Sequence, residues 1–201
     1  MEIKDFLKVL KIKKQTIFSI VIAFLALAMI ISVAQPLKYG SESKLLIVQD
    51  FKKSNDPYVI TKTNEYLSNV LSRVVDSYSF YENVVTSGYS IERDYFLQNG
   101  GDPRKEVEAW KETVEISTEE GSGIMEISVF HEDRVQLKQI AEAVNYTLKT
   151  GHEQYHGFGD SVTIKIIDQP IASQWPVRPN IVLIFSLALI LSLIVSLLYI
   201  Y

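Results

Sequence analysis

Two charge-free apolar stretches, one near each end of the chain, constrain its fold more than any other feature. The first runs from Ile17 to Val33 and the second from Ile181 to Tyr201. A helix needs about 20 mostly apolar residues to cross the hydrocarbon core of a bilayer, and about 17–25 are tolerated. Both stretches reach that length. The sequence therefore predicts transmembrane helices at 17–36 and 181–201.

Basic residues near the amino terminus indicate how these spans are oriented. Five lysines precede the first span: Lys4, Lys8, Lys11, Lys13 and Lys14. Clusters of this kind stay on the cytoplasmic side of a membrane. We therefore expect a cytoplasmic arm at 1–16 and a central domain at 37–169 on the outer face. A cleaved signal peptide is the alternative for the first span, although its apolar core would be only about 7–15 residues long.

Composition limits what the central domain can do. The chain has 20 basic and 24 acidic residues, and its basic residues are concentrated in the amino-terminal arm. The domain therefore lacks the basic stripe that nucleic-acid binding requires. The chain contains no cysteine, so it has neither disulfide bonds nor thiol chemistry. We expect no nucleic-acid partner.

The pattern of apolar residues between the spans predicts one α+β domain. In chain order we expect a strand at 39–48, a helix from Asp56 to about Val85, a short helix ending near Trp110, a hairpin at 113–117 and 124–130, a helix from Asp133 to about Gly151 and a strand at 161–167. The order β-α-β-β-α-β is that of a ferredoxin-like domain, with two helices on one face of an antiparallel sheet. We expect the first and last strands to pair in the middle of the sheet.

A proline-rich segment at 170–180 joins the last strand to the second span. It contains Pro170, Pro176 and Pro179, and it ends at Asn180. Each proline fixes φ and removes a backbone donor, which favours an extended, stiff path over sheet or helix. Pro179 also suits the first turn of a helix. These residues predict a rigid connector that couples domain and span, and a generic spacer is the alternative.

The segment His152-Glu-Gln-Tyr-His156 matches the H-E-x-x-H pattern of zinc peptidases. On a helix, His152 and His156 would hold Zn²⁺ and Glu153 would act as the general base. The third-ligand position of the longer pattern is Val162, which cannot bind a metal. The motif supports two hypotheses. One is a membrane-tethered metallopeptidase, and the other is that the motif is the polar end of the second helix.

Small residues recur every four positions in the second span, at Ala188, Ser192 and Ser196. A row of this kind permits two helices to approach closely in lipid. The row agrees with self-association of the chain.

Tyrosines are frequent in the first half of the central domain: Tyr58, Tyr66, Tyr78, Tyr81, Tyr89 and Tyr95. One interpretation is a surface on which sugars stack. The other is that these side chains fill cores and subunit interfaces, where tyrosines are common.

Three features together resemble the Wzz-type chain-length determinant family, the polysaccharide co-polymerases of bacterial envelopes. The segment from Glu2 to Lys14 is similar to that family's acidic-then-basic arm. The run from Val162 to Asn180 is similar to its signature of a valine-rich strand followed by spaced prolines and Pro-Asn. The two-span arrangement around an α/β domain is the third feature. The chain is too short for the long helices of the larger members, so it resembles the shorter capsule and exopolysaccharide members.

The resemblance implies a function, a location and partners. It implies a non-enzymatic protein without a cofactor that forms homo-oligomers in the bacterial plasma (inner) membrane, with a cytoplasmic amino terminus. Its partners would be the lipid bilayer and a membrane polysaccharide polymerase, and some short members also work with a separate cytoplasmic tyrosine kinase. Pro170, Pro176, Pro179 and Asn180 would form the coupling motif. The family has glycines in its second span, where this chain has Ala188, Ser192 and Ser196.

Overall fold

The structure is a computed structural model that describes residues 12–49, 56–97, 102–157 and 161–200. It divides into two compact units. One combines the described parts of Met1–Leu37 and Val177–Tyr201, and the other is formed within Lys38–Pro176. The basic arm lies outside the described residues up to position 11, as does Tyr201.

The helices and strands alternate along the chain as a mixed α+β protein. In order they are α1 (Lys14–Ala34), β1 (Tyr39–Gln49), α2 (Pro57–Val75), α3 (Tyr78–Val85), α4 (Asp94–Leu97), α5 (Pro103–Thr113), β2 (Val114–Thr118), β3 (Ile124–His131), α6 (Arg134–Gly151), a 3₁₀ turn (His152–Tyr155), β4 (Val162–Ala172) and α7 (Ile181–Ile200).

Aspartate caps begin three of the helices. The Asp56 carboxylate accepts a hydrogen bond from the Tyr58 amide at 2.9 Å, and Asp102 and Asp133 accept from the second residue of α5 and α6 in the same way. Such a cap satisfies one of the amide groups that have no partner inside the helix. Proline at the first position of α2 and α5 strengthens both starts, since its ring pre-sets the helical φ.

One helix was predicted from Asp56 to about Val85, and this prediction is wrong. The structure has two helices there, because Ser77 interrupts the first and caps the second by accepting from the Phe80 amide at 3.2 Å. The Val75 carbonyl at the end of α2 instead accepts from the indole Nε1–H of Trp110 at 2.7 Å. The break therefore follows from a tertiary contact that the hydrophobic spacing does not reveal.

The four strands form one antiparallel sheet in the order β2-β3-β1-β4. β1 and β4 are neighbours, as predicted, and Ser41 lies opposite Ala172. They do not both lie in the middle, however, because β4 is an edge strand. β3 already occupies the other side of β1, with Tyr39 opposite His131. The last strand can therefore pair with β1 only from outside.

β4 continues five residues beyond its predicted end and includes Pro170. The connector therefore begins after Ala172 rather than at Pro170. Proline is compatible with this strand for two reasons. β4 is at the edge of the sheet, and its register with β1 shifts between the Glu42 and Lys44 pairs, where Pro170 lies. Edges and bulges are the places in a sheet that tolerate a missing donor.

One face of the sheet forms the core of the α+β unit. Leu45 and Ile47 of β1, Ile127 of β3 and Ile164 of β4 are buried on that face, against α2 and α6. The opposite face has exposed charged residues such as Glu42 and Lys44. The predicted α+β class with an antiparallel sheet is thus confirmed.

The second unit pairs the two apolar helices. α1 and α7 are both long and apolar enough to cross a membrane. They pack against each other within this unit. α1 starts three residues before its predicted first residue. It ends at Ala34, because the next residue, Gln35, has an extended backbone.

Candidate functional site

The connector begins with a hydrogen-bonded turn rather than a free strand end. The Ser173 amide donates to the Gly40 carbonyl at 2.8 Å, and the Gly40 amide donates to the Ser173 hydroxyl oxygen at 3.0 Å. The same hydroxyl donates to the Trp175 carbonyl at 2.9 Å. These bonds fix the first residues of the connector to the first residues of β1.

The four residues predicted as a coupling motif have different local roles. Pro170 lies within β4, and Pro176 is the last residue of the α+β unit. Asn180 caps α7, because its side-chain oxygen accepts from the Leu183 amide at 3.1 Å. Pro179 precedes this cap rather than occupying the first helical position. Sequence reasoning had not identified Asn180 as the cap, although Asn before an apolar run is a typical one.

The small-residue row of α7 faces its own chain. Ala188, Ser192 and Ser196 are all buried, and so are Ala28 and Ser32 of α1, the helix that packs against α7. The row therefore permits α1 and α7 to approach each other. The same row was expected to agree with association between chains, but in the structure its partner is α1.

Both hydroxyls of this row are satisfied inside their own helix. Ser192 donates to the Leu189 carbonyl at 2.7 Å, and Ser196 donates to the Leu193 carbonyl at 2.9 Å. In lipid, where water is absent, this removes the cost of an unpaired donor. The serines thus act here as small residues rather than as hydrogen-bond links between helices.

Replacing Ser192 with leucine is expected to separate α1 from α7. The added side chain has no space at a fully buried position, and overpacking of this kind costs about 1–3 kcal/mol. Titration of the detergent-solubilised chain with SDS measures the loss. Ser186→Leu is the matched control, because Ser186 lies on the exposed side of the same helix. Equal losses in the two variants would contradict the observed helix pairing.

The H-E-x-x-H motif does not form a regular α-helix. His152 to Tyr155 make a single 3₁₀ turn at the end of α6, and His156 is already extended. Nδ1 of His152 and Nε2 of His156 are 2.8 Å apart, and the two rings stack at 22°. One ring nitrogen therefore donates to the other. Glu153, between them in sequence, is exposed.

Burial disfavours the charged form of this histidine pair. It lowers the pKa of both His152 and His156, and the neighbouring imidazole lowers the pKa of His152 further. Neutral imidazoles can bind metal ions, but a catalytic zinc has three protein ligands. Among the described ranges, no group of three or more His, Cys, Asp or Glu side chains is arranged to hold a metal ion. Val162, at the third position of the longer pattern, is buried in β4.

Sequence reasoning missed a charged cluster that links two helices and a loop. The Arg93 guanidinium contacts Glu82 of α3 and, at 3.5 Å, Glu106 of α5. It also lies 6.0 Å from the centre of the Tyr81 ring. Only 5% of the Glu106 side chain is exposed, so Arg93 balances a carboxylate that is almost fully buried. No spacing rule links these positions, which come from separate helices and a loop.

The tyrosines do not form one surface. Tyr81 is fully buried among Phe96 and Trp110, whereas Tyr58 and Tyr66 are mostly exposed on α2. The interpretation as core residues is therefore right for Tyr81.

The residues singled out above belong to an α+β protein with two apolar helices long enough to cross a membrane. No model of a known protein family matches this chain, and comparison with curated proteins gave no match either.

Proposed function

We propose that this chain is a two-span membrane protein that acts as a non-enzymatic scaffold. It would regulate the chain length, polymerisation or export of a bacterial surface polysaccharide such as capsule, exopolysaccharide or O-antigen. The observation that supports this most is the pairing of β1 with β4. These are the strands that lead from α1 and toward α7, so both connections leave the α+β unit at one place. This arrangement suits a domain held by two membrane spans.

The domain fits a ferredoxin-like arrangement with an inserted pair of helices. Its strand order is β2-β3-β1-β4, which is the order expected when two strand-helix-strand units interleave in one sheet. α6 forms the crossover from β3 to β4. α4 and α5 are additions between α3 and β2. This class of domain occurs with many activities, so function must be argued from the residues around it.

The proposed location is the bacterial plasma membrane, with the amino terminus in the cytoplasm. Lys13 and Lys14 stand immediately before the apolar part of α1, and three more lysines precede them in sequence. No Asp or Glu lies within α1 or α7. The positive-inside rule then puts the α+β unit on the outer face.

The proposed mechanism is scaffolding by several copies of the chain. A ring of outer domains would set how long a membrane polysaccharide polymerase stays engaged with its product. The proline connector would couple each domain to its second span, since Pro176 and Pro179 restrict the backbone between them. A separate cytoplasmic tyrosine kinase is a further proposed partner, from the resemblance alone.

Replacing Pro176 and Pro179 together with alanine is expected to broaden the length distribution of the polysaccharide. The variant connector gains backbone freedom, so it would couple domain and span less tightly. Polysaccharide from cells that carry the variant would be resolved by gel electrophoresis, with membrane fractionation to show that the protein still inserts. An unchanged length distribution at equal protein levels would contradict the proposal.

Pro103→Ala is the matched control. Pro103 occupies the first position of α5, far along the chain from the connector. Like the connector prolines, it does not lead directly into a strand. Its replacement removes the same kind of ring and leaves the connector unchanged. We expect normal polysaccharide length in this variant.

The metallopeptidase hypothesis predicts a bound zinc ion, which the scaffold proposal does not require, and a substitution of His156 tests it. If His152 and His156 hold a catalytic zinc with Glu153, the purified untagged protein will contain stoichiometric zinc, and His156→Ala will lose it. That result would replace the scaffold proposal. The hydrogen bond between the two imidazoles favours a structural pair instead.

A further inference from the structure

Two apolar side chains at the carboxyl end of β4 are unusually exposed. Ile171 and Trp175 are each 79% exposed, more than any other large apolar residue described in the α+β unit. Trp110, the chain's other tryptophan, is by contrast fully buried. Covering exposed apolar side chains such as these is favourable, because it removes apolar surface from water. We refer to Ile171 and Trp175 together as the ledge.

The ledge is held in a defined place. Ile171 lies opposite Glu42 in the β1–β4 ladder, and Trp175 follows the turn in which Ser173 bonds to Gly40. The Trp175 carbonyl itself accepts the Ser173 hydroxyl. The backbone that presents both side chains to solvent is therefore fixed by hydrogen bonds.

Chain length limits how far the ledge can be from a membrane that contains α7. Ile181, the first residue of α7, is six positions after Trp175. An extended chain covers at most about 3.3–3.6 Å per residue, so this segment reaches roughly 20 Å at full extension. Pro176 and Pro179 lie within it. The ledge is therefore an exposed apolar surface within reach of a bilayer that contains α7.

We propose that the ledge is a membrane-docking surface that inserts into the headgroup region of the bilayer. Tryptophan is enriched at that depth, because its ring is apolar while its indole N–H remains near water. The inference rests on the proposed membrane insertion of α1 and α7. It adds that the α+β unit contacts lipid directly, so that its tilt is set by side-chain insertion as well as by the connector.

The two tryptophans make a direct test possible in the full chain. The protein is reconstituted into lipid nanodiscs, and the emission of Trp175 is obtained as the difference between the wild type and Trp175→Phe. Trp110 is shielded and its indole is bonded to Val75, so it contributes a constant background. We expect phospholipids with brominated acyl chains to quench Trp175 strongly when the bromines are near the headgroup. Aqueous iodide should quench it weakly.

A second reporter supplies the matched control. Tyr58→Trp in the Trp175→Phe background has its reporter at the start of α2, on a side chain that is 70% exposed. Asn64 of α2 lies against Gly123. The Gly123 carbonyl accepts from the amide of Ile47, near the far end of β1. This reporter should be quenched by iodide and not by brominated lipid. Ile171→Asp should weaken quenching of Trp175 by brominated lipid.

Each other outcome overturns a specific statement. Strong iodide quenching of Trp175 in nanodiscs without quenching by lipid would mean that the ledge faces water. Protection from both quenchers would mean that protein or polysaccharide covers it, and the docking proposal would be wrong. If the chain does not remain with the bilayer in alkaline carbonate, the proposed insertion fails, and the docking proposal fails with it.

Discussion

Replacing Arg93 with methionine is expected to lower the free energy of unfolding by about 3 kcal/mol. Arg93 is the cation that contacts both Glu82 and the nearly buried Glu106. Without it, the Glu106 carboxylate is buried without a counter-charge, and breaking a buried ion pair in this way costs about 3–5 kcal/mol. We use the lower end, since 39% of the Arg93 side chain is exposed and solvent screens part of the interaction. Thermal unfolding of the detergent-solubilised chain measures the loss.

Two further variants separate charge from packing in this cluster. Adding Glu106→Gln to Arg93→Met should restore part of the stability, because the buried charge is then gone. Lys138→Met is the control for loss of an ordinary surface ion pair, since its contact with Glu142 is 3.7 Å long and its side chain is 64% exposed. Such pairs contribute about 0–1 kcal/mol. If Arg93→Met were as mild as Lys138→Met, the cluster would have no structural role.

The stability of the α+β unit is expected to fall as the pH drops below the ordinary histidine value of 6.5. All three histidines of the chain, His131, His152 and His156, have a pKa that is lowered, in each case mainly by burial. The unfolded chain therefore binds protons at a higher pH than the folded chain does. The stability that the neutral histidines contribute is fully present above pH 6.5. It is lost as the pH falls through the pKa values of the folded chain. Nearby Asp133 and Glu153 oppose the shifts without reversing them.

Local geometry disfavours protonation most clearly at the His152–His156 pair. At His131 it acts in both directions, because Nδ1 accepts from the Asp133 amide at 2.9 Å but also lies 3.1 Å from the Asp133 carbonyl, to which a protonated ring would donate. Protonation of both His152 and His156 would place two cations side by side. Melting temperatures measured near pH 7.5 and near pH 5.5, on either side of the usual histidine pKa, test this. His152→Gln with His156→Gln should flatten the dependence, and an unaltered slope would contradict the assignment to this pair.

Much of the α+β unit could be predicted from sequence because its signals are local. Asp-Pro at 56–57 and Asp133 begin helices through contacts within three residues, and the structure has both starts. The turn chemistry between β2 and β3 likewise identified the hairpin. The two apolar stretches became helices with nearly the expected bounds.

The remaining features depend on contacts between distant parts of the chain. The break at Ser77 accompanies a bond from Trp110 to Val75, 35 positions away. Pro170 remains in the sheet because β4 is at its edge, and strand order is not visible in the spacing of one strand. The role of Glu106 became apparent only when Arg93 was placed beside it. Periodicity reports what is buried, but not which element covers it.

The assignment of the small-residue row affects how copies of the chain would assemble. Because Ala188, Ser192 and Ser196 already face α1, contacts between chains must use other surfaces. The outward sides of α1 and α7 and the exposed face of the sheet are available for this. The proposed scaffold therefore does not depend on the row that first suggested self-association.

Native mass spectrometry of the full chain released from detergent micelles or nanodiscs tests the scaffold proposal most directly. A scaffold that times a polymerase requires several outer domains in one assembly. We expect particles that contain multiple copies of the 22.9 kDa chain. A chain that remains monomeric at membrane-like concentrations would contradict the proposed mechanism.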